Sequence, residues 1–127
     1  MPKRILVVDD SPTIRNVIKL YLGAGDEREI IEAADAERAL RLVRLMPVDL
    51  VIADVNMPGL DGLEMTRRLR ADPQPSIRSL PVILMSAEES DTLRARAAGV
   101  GADEFVQKPV ASASLLGAVS RLLGPGA

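Results

Sequence analysis

The sequence predicts an α/β protein with a single (βα)5 domain, in which a five-stranded parallel sheet carries helices on both faces. Short apolar segments begin near Arg4, Arg28, Asp49, Leu80 and Asp103, and they alternate with stretches whose apolar residues recur every three or four positions. Segments of the first kind are typical of strands, and those of the second kind are typical of amphipathic helices. Their regular alternation favours parallel strands joined by helical crossovers.

The strand order follows from the apolar content of the five segments. The segments that begin near Arg4, Asp49 and Leu80 are almost continuously apolar, as expected of central strands covered on both faces. The segments at 29–32 and 104–107 are short and charged, which is typical of strands at the edges of a sheet. With right-handed crossovers, this assignment predicts the strand order 2-1-3-4-5.

Helices are predicted after Ser11, Asp35, Asp61 and Ser90 and near the C-terminus, and a loop is predicted over 71–76. The helices after Asp61 and Ser90 have the weaker patterns. The residues expected to face the core are Ile14, Val17, Ile18 and Tyr21, then Ala36, Ala39, Leu40 and Val43, then Leu63, Leu69, Leu93 and Ala97, and finally Leu115, Leu116, Val119, Leu122 and Leu123. We expect the domain to occupy residues 1–123, with 124–127 as a frayed tail or the start of a linker.

The chain has no histidine and no cysteine, and this excludes several kinds of chemistry. A Ser-His-Asp triad, a thiol nucleophile and a zinc site of the usual kind cannot form, and no disulfide is possible. The net charge of −2 offers no field for nucleic acid or for an anionic membrane. The first apolar stretch is too short for a signal peptide or a membrane span. We therefore expect a cytoplasmic protein that binds neither nucleic acid nor membranes.

Polar side chains follow four of the predicted strands. Asp9 and Asp10 follow the first strand, Asp54 the third, Ser86 the fourth and Lys108 the fifth. Because the carboxyl ends of parallel strands meet at one edge of the sheet, we expect these side chains to lie together near the point where the strand order reverses. Each of them alone is explained equally well by a turn, a helix cap or a solvated lysine. Their coincidence at one edge indicates a functional site.

The residue types at this edge favour phosphoryl transfer assisted by a metal ion. Crowded carboxylates repel each other, and a bound cation relieves the repulsion. Oxygen ligands alone favour a hard ion, so the expected cofactor is Mg²⁺, for which Mn²⁺ can substitute. An aspartate can attack phosphorus to give an acyl phosphate, while Lys108 and Ser86 would contact the phosphoryl oxygens as a positive charge and as a hydroxyl donor.

Four segments of the chain resemble the signature blocks of response-regulator receiver domains, the CheY-like domains of two-component signalling. The segments are ILVVDDS at 5–11, DLVIADVNMPGLDG at 49–62, PVILMSA at 81–87 and GADEFVQKP at 101–109. They follow the order and the spacing of the family and cover essentially the whole chain. The resemblance implies the flavodoxin-like fold that is predicted above. Ser86 departs from the commonest pattern, in which threonine provides the hydroxyl group.

The resemblance also implies roles for the acidic residues and their neighbour. Asp54 would be the phosphoacceptor. Asp10 and Asp54 would bind Mg²⁺ directly, Asn56 would bind it through its backbone carbonyl, and Asp9 would act through a bound water.

By the same resemblance, Ser86 would be the switch hydroxyl and Phe105 the switch aromatic, whose ring we expect to move inward on phosphorylation. Lys108 would contact the phosphoryl group, and the proline that follows it is usually cis in the family. Asn56 and Glu88 occupy the two variable positions that tune the rate of autodephosphorylation.

The function implied is a phosphorylation switch. The domain would take a phosphoryl group from the phosphohistidine of a sensor histidine kinase or a histidine phosphotransfer protein onto Asp54. The new charge would change the face formed by strand 4, strand 5 and the last helix, and the domain would thereby regulate a downstream protein that the sequence does not identify. It would catalyse only its own phosphorylation and dephosphorylation, so we do not expect an enzyme. A monomer or a phosphorylation-dependent dimer is expected.

Three alternatives fit less well. A phosphatase of the haloacid-dehalogenase type also uses an aspartate nucleophile with Mg²⁺, but it has a second aspartate where this chain has Asn56, and a cap domain is missing. A pseudo-receiver scaffold would have a broken acidic set, and here the set is intact. A flavodoxin-like FMN carrier would have a phosphate loop after the first strand and aromatic residues around the flavin.

Overall fold

The apolar segments of the sequence form parallel strands, and the periodic segments form helices, in the computed structural model of the chain. The structure describes residues 2–23, 27–88 and 90–124. Its elements are β1 (Lys3–Val8), α1 (Pro12–Leu22), β2 (Arg28–Ala33), α2 (Ala36–Leu45), β3 (Leu50–Asp54), α3 (Gly62–Arg70), α4 (Pro75–Arg78), β4 (Val82–Ser86), α5 (Asp91–Gly99), β5 (Glu104–Gln107) and α6 (Ser112–Leu123). The strands pair in the order β2-β1-β3-β4-β5, which confirms the predicted order 2-1-3-4-5 and the α/β class.

The three central strands divide the core into two layers, because successive side chains of a strand point to opposite faces of the sheet. In β1, Ile5 and Val7 pack with α1 and α6, whereas Leu6 and Val8 pack with α2, α3, α4 and α5. Every residue of β3 and β4 is buried. The edge strands β2 and β5 consist mostly of half-buried residues, in agreement with their charged sequences. Within the described residues, no helix is long and apolar enough to cross a membrane.

The predicted helix starts are confirmed by side-chain caps. Ser11, Asp35, Asp61 and Ser90 each accept a hydrogen bond from the backbone N–H three residues ahead, at 2.7 to 3.2 Å. The predicted inward residues that are buried are Ile18, Ala36, Ala39, Val43, Leu63, Leu69, Leu93, Ala97, Leu115 and Val119, and the half-buried ones are Ile14, Val17, Tyr21, Leu40, Leu116, Leu122 and Leu123. Because α6 ends at Leu123, the expected tail consists of Gly124 and of residues 125–127, which lie outside the described residues.

The predicted loop over 71–76 differs in the structure, because its last residues begin the one-turn helix α4. Pro75 occupies the first helical position, where its missing N–H leaves no hydrogen bond unmade. Ile77 is buried in the same core layer as α2 and α3, and this burial holds the turn against the domain. A short polar stretch with two prolines carries no helical period, so the sequence pattern missed α4. The last helix of the fold is therefore the sixth.

Candidate functional site

Three carboxylates lie together where β1 and β3 end. Val8 pairs with Ala53 in the parallel register of the two strands, so Asp9 and Asp54 follow side by side. Carboxylate oxygens of Asp9, Asp10 and Asp54 lie within 4.8 Å of one another. Asp9 and Asp54 are buried, whereas Asp10 is exposed. The structure thus brings together the three acidic residues that the sequence predicted at this edge of the sheet.

Lys108 reaches the same cluster from the end of β5. Its Nζ lies 2.9 Å from Asp9 Oδ2 and 3.0 Å from Asp54 Oδ2. Its backbone N–H donates to the carbonyl of Ser86 at 2.8 Å, which fixes the point from which the side chain extends. The peptide bond between Lys108 and Pro109 is cis, as the resemblance implied. One ammonium group therefore faces two of the three carboxylates.

The electrostatic environment acts differently on the two partners of this ion pair. Burial is the largest influence on Asp54 and raises the pKa of its carboxyl; the charge of Asp9 acts in the same direction, while the hydrogen bond from Lys108 opposes both. Burial alone would lower the pKa of Lys108, but its hydrogen bonds with Asp9 and Asp54 outweigh burial, so this pKa is raised. Lys108 therefore stays charged, and a further positive charge at the cluster would favour the ionised form of Asp54.

Ser86, Asn56 and Glu88 surround the cluster. Ser86 is buried at the end of β4, and its Oγ accepts a hydrogen bond from the Glu88 N–H at 3.0 Å. The Asn56 N–H donates to Asp54 Oδ1 at 3.2 Å. Asn56 and Glu88 are both exposed, so they lie at the rim of the site, each bonded through its backbone to the buried residue two positions earlier.

The loop between β3 and α3 is held at two points. At its far end, the Gly62 N–H donates to the carbonyl of Val55 at 3.0 Å, and a Cβ on Gly62 would lie 2.4 Å from the backbone oxygen of Asp54. Only glycine permits so close an approach of the start of α3 to the end of β3. At the loop's apex, Glu37 Oε1 accepts a hydrogen bond from the Leu60 N–H at 3.2 Å. These contacts fix the backbone from which the Asn56 carbonyl projects.

Two residues that support the site were missed in the sequence. Arg15 on α1 donates from Nη1 to the carbonyl of Asp9 at 2.6 Å and from Nε to Glu32 Oε1 at 3.0 Å, so it ties the end of β1 to the edge strand. Glu37, which holds the loop after β3, is the second. The sequence pattern singled out neither residue, and only the spacing of Arg15 from Asp9, within the first turns of α1, could have indicated its contact.

Phe105 lies half-buried on β5, three residues before Lys108. The guanidinium carbon of Arg94, on α5, lies 4.7 Å from the centroid of its ring. The distance is that of a cation–π contact. The structure therefore shows the predicted switch aromatic with a charged neighbour that the sequence pattern did not indicate.

The donor set of the cluster fits a hard divalent cation. Its side-chain ligands are carboxylate oxygens on three residues that share one small space, and the exposed position of Asp10 leaves this space open to solvent. Mg²⁺ characteristically binds one or two carboxylates and keeps several waters, which suits a site at the surface of the sheet edge. Burial, and to a smaller extent the charge of Asp9, raises the pKa of Asp54, and a bound cation would oppose both effects.

Comparison with known proteins gives the family. Residues 5–120 match the family described as "Response regulator receiver domain". Response regulator GtcR of Aneurinibacillus migulanus is 43% identical over 109 residues, which are 86% of this chain and 43% of that protein. The chain spans about half the length of the first curated relatives that it matches, between 43% and 51%.

Solved structures agree over almost the whole chain. The chemotaxis response regulator CheY4 of Vibrio cholerae is 32% identical with a TM-score of 0.84, and the match covers 96% of this chain and 99% of that one. The receiver domain of a sensor histidine kinase from Pseudomonas aeruginosa PAO1, which holds a magnesium ion in its active site cleft, is 28% identical with a TM-score of 0.83 over 98% of this chain and 99% of that one.

These matches do not support the alternative of a haloacid-dehalogenase phosphatase, and they agree with the observed fold and strand order. The matched residues begin within β1 and end within α6, so they include all five strands of the sheet. The chain therefore belongs to the receiver domains of two-component response regulators, which are phosphoryl-accepting switches with an acidic Mg²⁺ pocket.

Proposed function

We propose that Asp54 of this chain is the phosphoacceptor and takes its phosphoryl group from the phosphohistidine of a sensor histidine kinase or of a histidine phosphotransfer protein. The observation that carries the proposal is the ion pair of Lys108 with both Asp9 and Asp54, inside a cluster of three carboxylates. This arrangement combines a nucleophile, a cation for the phosphoryl oxygens and ligands for a metal ion in one buried edge of the sheet.

The chemical step is a displacement at phosphorus. A carboxylate oxygen of Asp54 forms a bond to phosphorus while the bond from phosphorus to the donor imidazole nitrogen breaks, and the electron pair of that bond stays on the imidazole. Lys108 then exchanges a carboxylate contact for a phosphoryl oxygen, and the Ser86 hydroxyl donates to another phosphoryl oxygen. Hydrolysis later removes the modification: water attacks phosphorus from the open rim, the bond from phosphorus to the Asp54 oxygen breaks, and inorganic phosphate leaves. Asn56 and Glu88 lie at this rim and set the rate of the step.

Mg²⁺ would be held directly by Asp10, Asp54 and the backbone carbonyl of Asn56, and through a water by Asp9. The ion would supply positive charge to the three carboxylates and to the transferred phosphoryl group. Mn²⁺, which accepts the same oxygen ligands, would replace it.

The output would be a change in the face formed by β4, β5 and α6. When the Ser86 hydroxyl is drawn to the phosphoryl group, space opens beside it, and the ring of Phe105 turns inward from its half-buried position. The phosphoryl group shifts the population towards this state because it makes contacts there that the other state lacks. We expect this face to bind a downstream protein, with the domain acting as a monomer or as a phosphorylation-dependent dimer.

The remaining parts of the proposal concern the setting of the domain. We place the domain at 1–123 and a tail or linker at 124–127, and we place its action in the cytoplasm, where a sensor kinase would present its phosphohistidine. The chemistry of the chain would be limited to its own phosphorylation and dephosphorylation, with no substrate turned over and with no direct contact with nucleic acid or membranes.

The test of the phosphoacceptor is intact mass after incubation with acetyl phosphate and Mg²⁺. The wild type is expected to gain one phosphoryl group, which hydroxylamine removes, and Asp54→Asn is expected to gain none. Asp91→Asn is the matched control, because Asp91 is an exposed aspartate on α5, outside the cluster, and should label as the wild type does. A wild type that never labels, or an adduct that persists in Asp54→Asn, would contradict the proposal.

A further inference from the structure

The contact between Arg94 and Phe105 joins two elements of the output face. Arg94 is exposed on α5, Phe105 is half-buried on β5, and the guanidinium carbon lies 4.7 Å from the ring centroid. A cation over the face of an aromatic ring stabilises the ring in that position. The position held here is the outward one, which leaves part of the ring at the surface.

The two side chains stand between two cavities. On one side lies a groove of about 640 Å³ that also contacts β5, the following loop and α6. On the other side lies a smaller pocket of about 200 Å³, whose wall contains alanines at 97, 98 and 102 together with Asp103 and Glu104. Arg94 and Phe105 contribute to both walls. If the ring turns inward, it withdraws its part of this shared wall, and Arg94 remains beside both cavities.

The larger groove has a marked charge bias. Its lining includes Arg94, Lys108 and Arg121, and it includes no acidic side chain among the described residues. Such a bias is unexpected in a chain with a net charge of −2. Arg121 is paired with Glu104, with nitrogen–oxygen distances of 2.9 and 3.1 Å, and Lys108 faces Asp9 and Asp54.

Arg94 differs from these two cations in its partner. The partner that the structure shows for its guanidinium is the ring of Phe105, which is neutral and which is the group expected to move. A guanidinium that loses a ring contact at the edge of a groove is well suited to bind a carboxylate with two parallel hydrogen bonds. The alanines of the smaller pocket are suited to an aliphatic side chain. The two acidic residues of the same pocket are each paired with an arginine, Asp103 with Arg70 and Glu104 with Arg121.

We propose that Arg94 is a latch that holds Phe105 outward and, once the ring turns inward, binds a carboxylate of the partner, so that the partner of this face is an acidic peptide segment with an aliphatic anchor residue. The proposal rests on the proposed function of Asp54, since phosphorylation there supplies the force that turns the ring. It adds the chemistry of the partner and the residue that couples partner binding to the ring.

The latch is tested through the ring itself. Phe105 is the only phenylalanine of the chain, so selective labelling of phenylalanine gives one set of ring resonances without assignment ambiguity. We expect Arg94→Ala to move these resonances, without phosphorylation, towards those of the fluoroberyllate-loaded wild type. Arg96→Ala is the control, because Arg96 is exposed on the same helix and does not contribute to either cavity. Ring resonances of Arg94→Ala that coincide with those of the unloaded wild type would overturn the latch.

The partner chemistry is tested with two synthetic peptides of equal length, one of leucine and glutamate and one with lysine in place of glutamate. Measured by fluorescence anisotropy on the fluoroberyllate-loaded wild type, the glutamate peptide is expected to bind about tenfold more tightly than the lysine peptide. Arg94→Glu should reverse this preference, and Arg96→Glu should keep it. Equal binding of the two peptides, or an unchanged preference in Arg94→Glu, would overturn the acidic partner.

The acetyl phosphate experiment separates this inference from the proposed function. If the wild type labels at Asp54 but Arg94→Ala leaves the ring and the peptide preference unchanged, the inference fails and the proposed function stands. If the wild type does not label, the proposed function fails and the inference falls with it.

Discussion

The surroundings of Asp54 disfavour the ionised form of its carboxyl group. Its carboxyl is buried next to the charge of Asp9, and both effects raise its pKa, while the hydrogen bond from Lys108 compensates in part. Burial disfavours the ionised form of this carboxyl, and a cation bound at the cluster would favour it. Ionised Asp54 is therefore expected to lower the stability of the fold, and a cation that binds at the cluster is expected to restore it.

The first prediction at this scale concerns stability and pH. Because the pKa of Asp54 is raised on folding, the folded state holds its proton more tightly than the unfolded chain does. Stability is therefore lost as the pH rises from the unfolded value of about 4 through the folded value. Without Mg²⁺, Asp54→Asn should have a higher Tm than the wild type at pH 7, and this difference should shrink towards pH 4.

The measurement is thermal unfolding followed by circular dichroism across this range. Asp91→Asn, which removes an exposed carboxylate, is the control. A lower Tm for Asp54→Asn than for the wild type at pH 7 would show that the ion pair with Lys108 outweighs burial.

The second prediction concerns two glycines with opposite surroundings. A Cβ at Gly62 would lie 2.4 Å from the backbone oxygen of Asp54, whereas a Cβ at Gly99 would meet nothing within 4 Å. Gly62→Ala should lower the free energy of unfolding by about 1–3 kcal/mol, because the backbone must shift. Gly99→Ala should raise it by about 0.5 kcal/mol, because alanine loses less conformational entropy in a helix. Urea unfolding distinguishes the two, and equal effects would contradict the close approach at Gly62.

At the scale of elements, the sequence predicts the features that depend on periodicity and strand direction, which are the strands, the helices and the edge of the sheet at which a residue lies. Asp54 follows its strand and belongs to the site. Asp49 and Asp103 precede theirs, and at the opposite edge of the sheet they accept the backbone N–H groups of Arg4 and Val82, each at 2.8 Å. The position of each aspartate at the start or at the end of its strand therefore decides at which edge of the sheet it lies.

Contacts that depend on side-chain conformation were not predictable, because a helical pattern says which face is exposed but not which neighbour it touches.

The one-turn helix α4 is an element that depends on a single anchor. Ile77 is its buried residue, while Ser76 is exposed. Ile77→Ala should lower the free energy of unfolding by about 3 kcal/mol, because it removes aliphatic contacts and leaves a cavity. Ser76→Ala should change it by less than about 0.5 kcal/mol. Equal midpoints of the two variants in urea would show that Ile77 does not anchor this turn.

At the scale of the whole molecule, the site joins β1, β3, β4 and β5, so an ion that binds it should stabilise the entire fold. At a concentration about 100 times its Kd, Mg²⁺ should raise the free energy of unfolding by about 2.7 kcal/mol, and Mn²⁺ at its own corresponding concentration should act similarly. Asp10→Asn should reduce this gain, because Asp10 is the exposed carboxylate of the cluster, and Asp91→Asn should not.

The measurement is Tm against metal concentration for the wild type and both variants. A Tm of the wild type that does not respond to either metal would contradict a divalent site in the cluster. A full response in Asp10→Asn would remove Asp10 from the ligand set.

The narrow space between Gly62 and Asp54 has a consequence for how a signal leaves the site. Since the start of α3 rests directly on the backbone of Asp54, a displacement of Asp54 towards α3 would meet backbone atoms. If Asp54 is phosphorylated as proposed, we expect the structural change on the opposite side of Asp54, where β4 ends at Ser86 and β5 carries Phe105. The close contact at Gly62 would therefore direct the change towards β4 and β5 and away from α3.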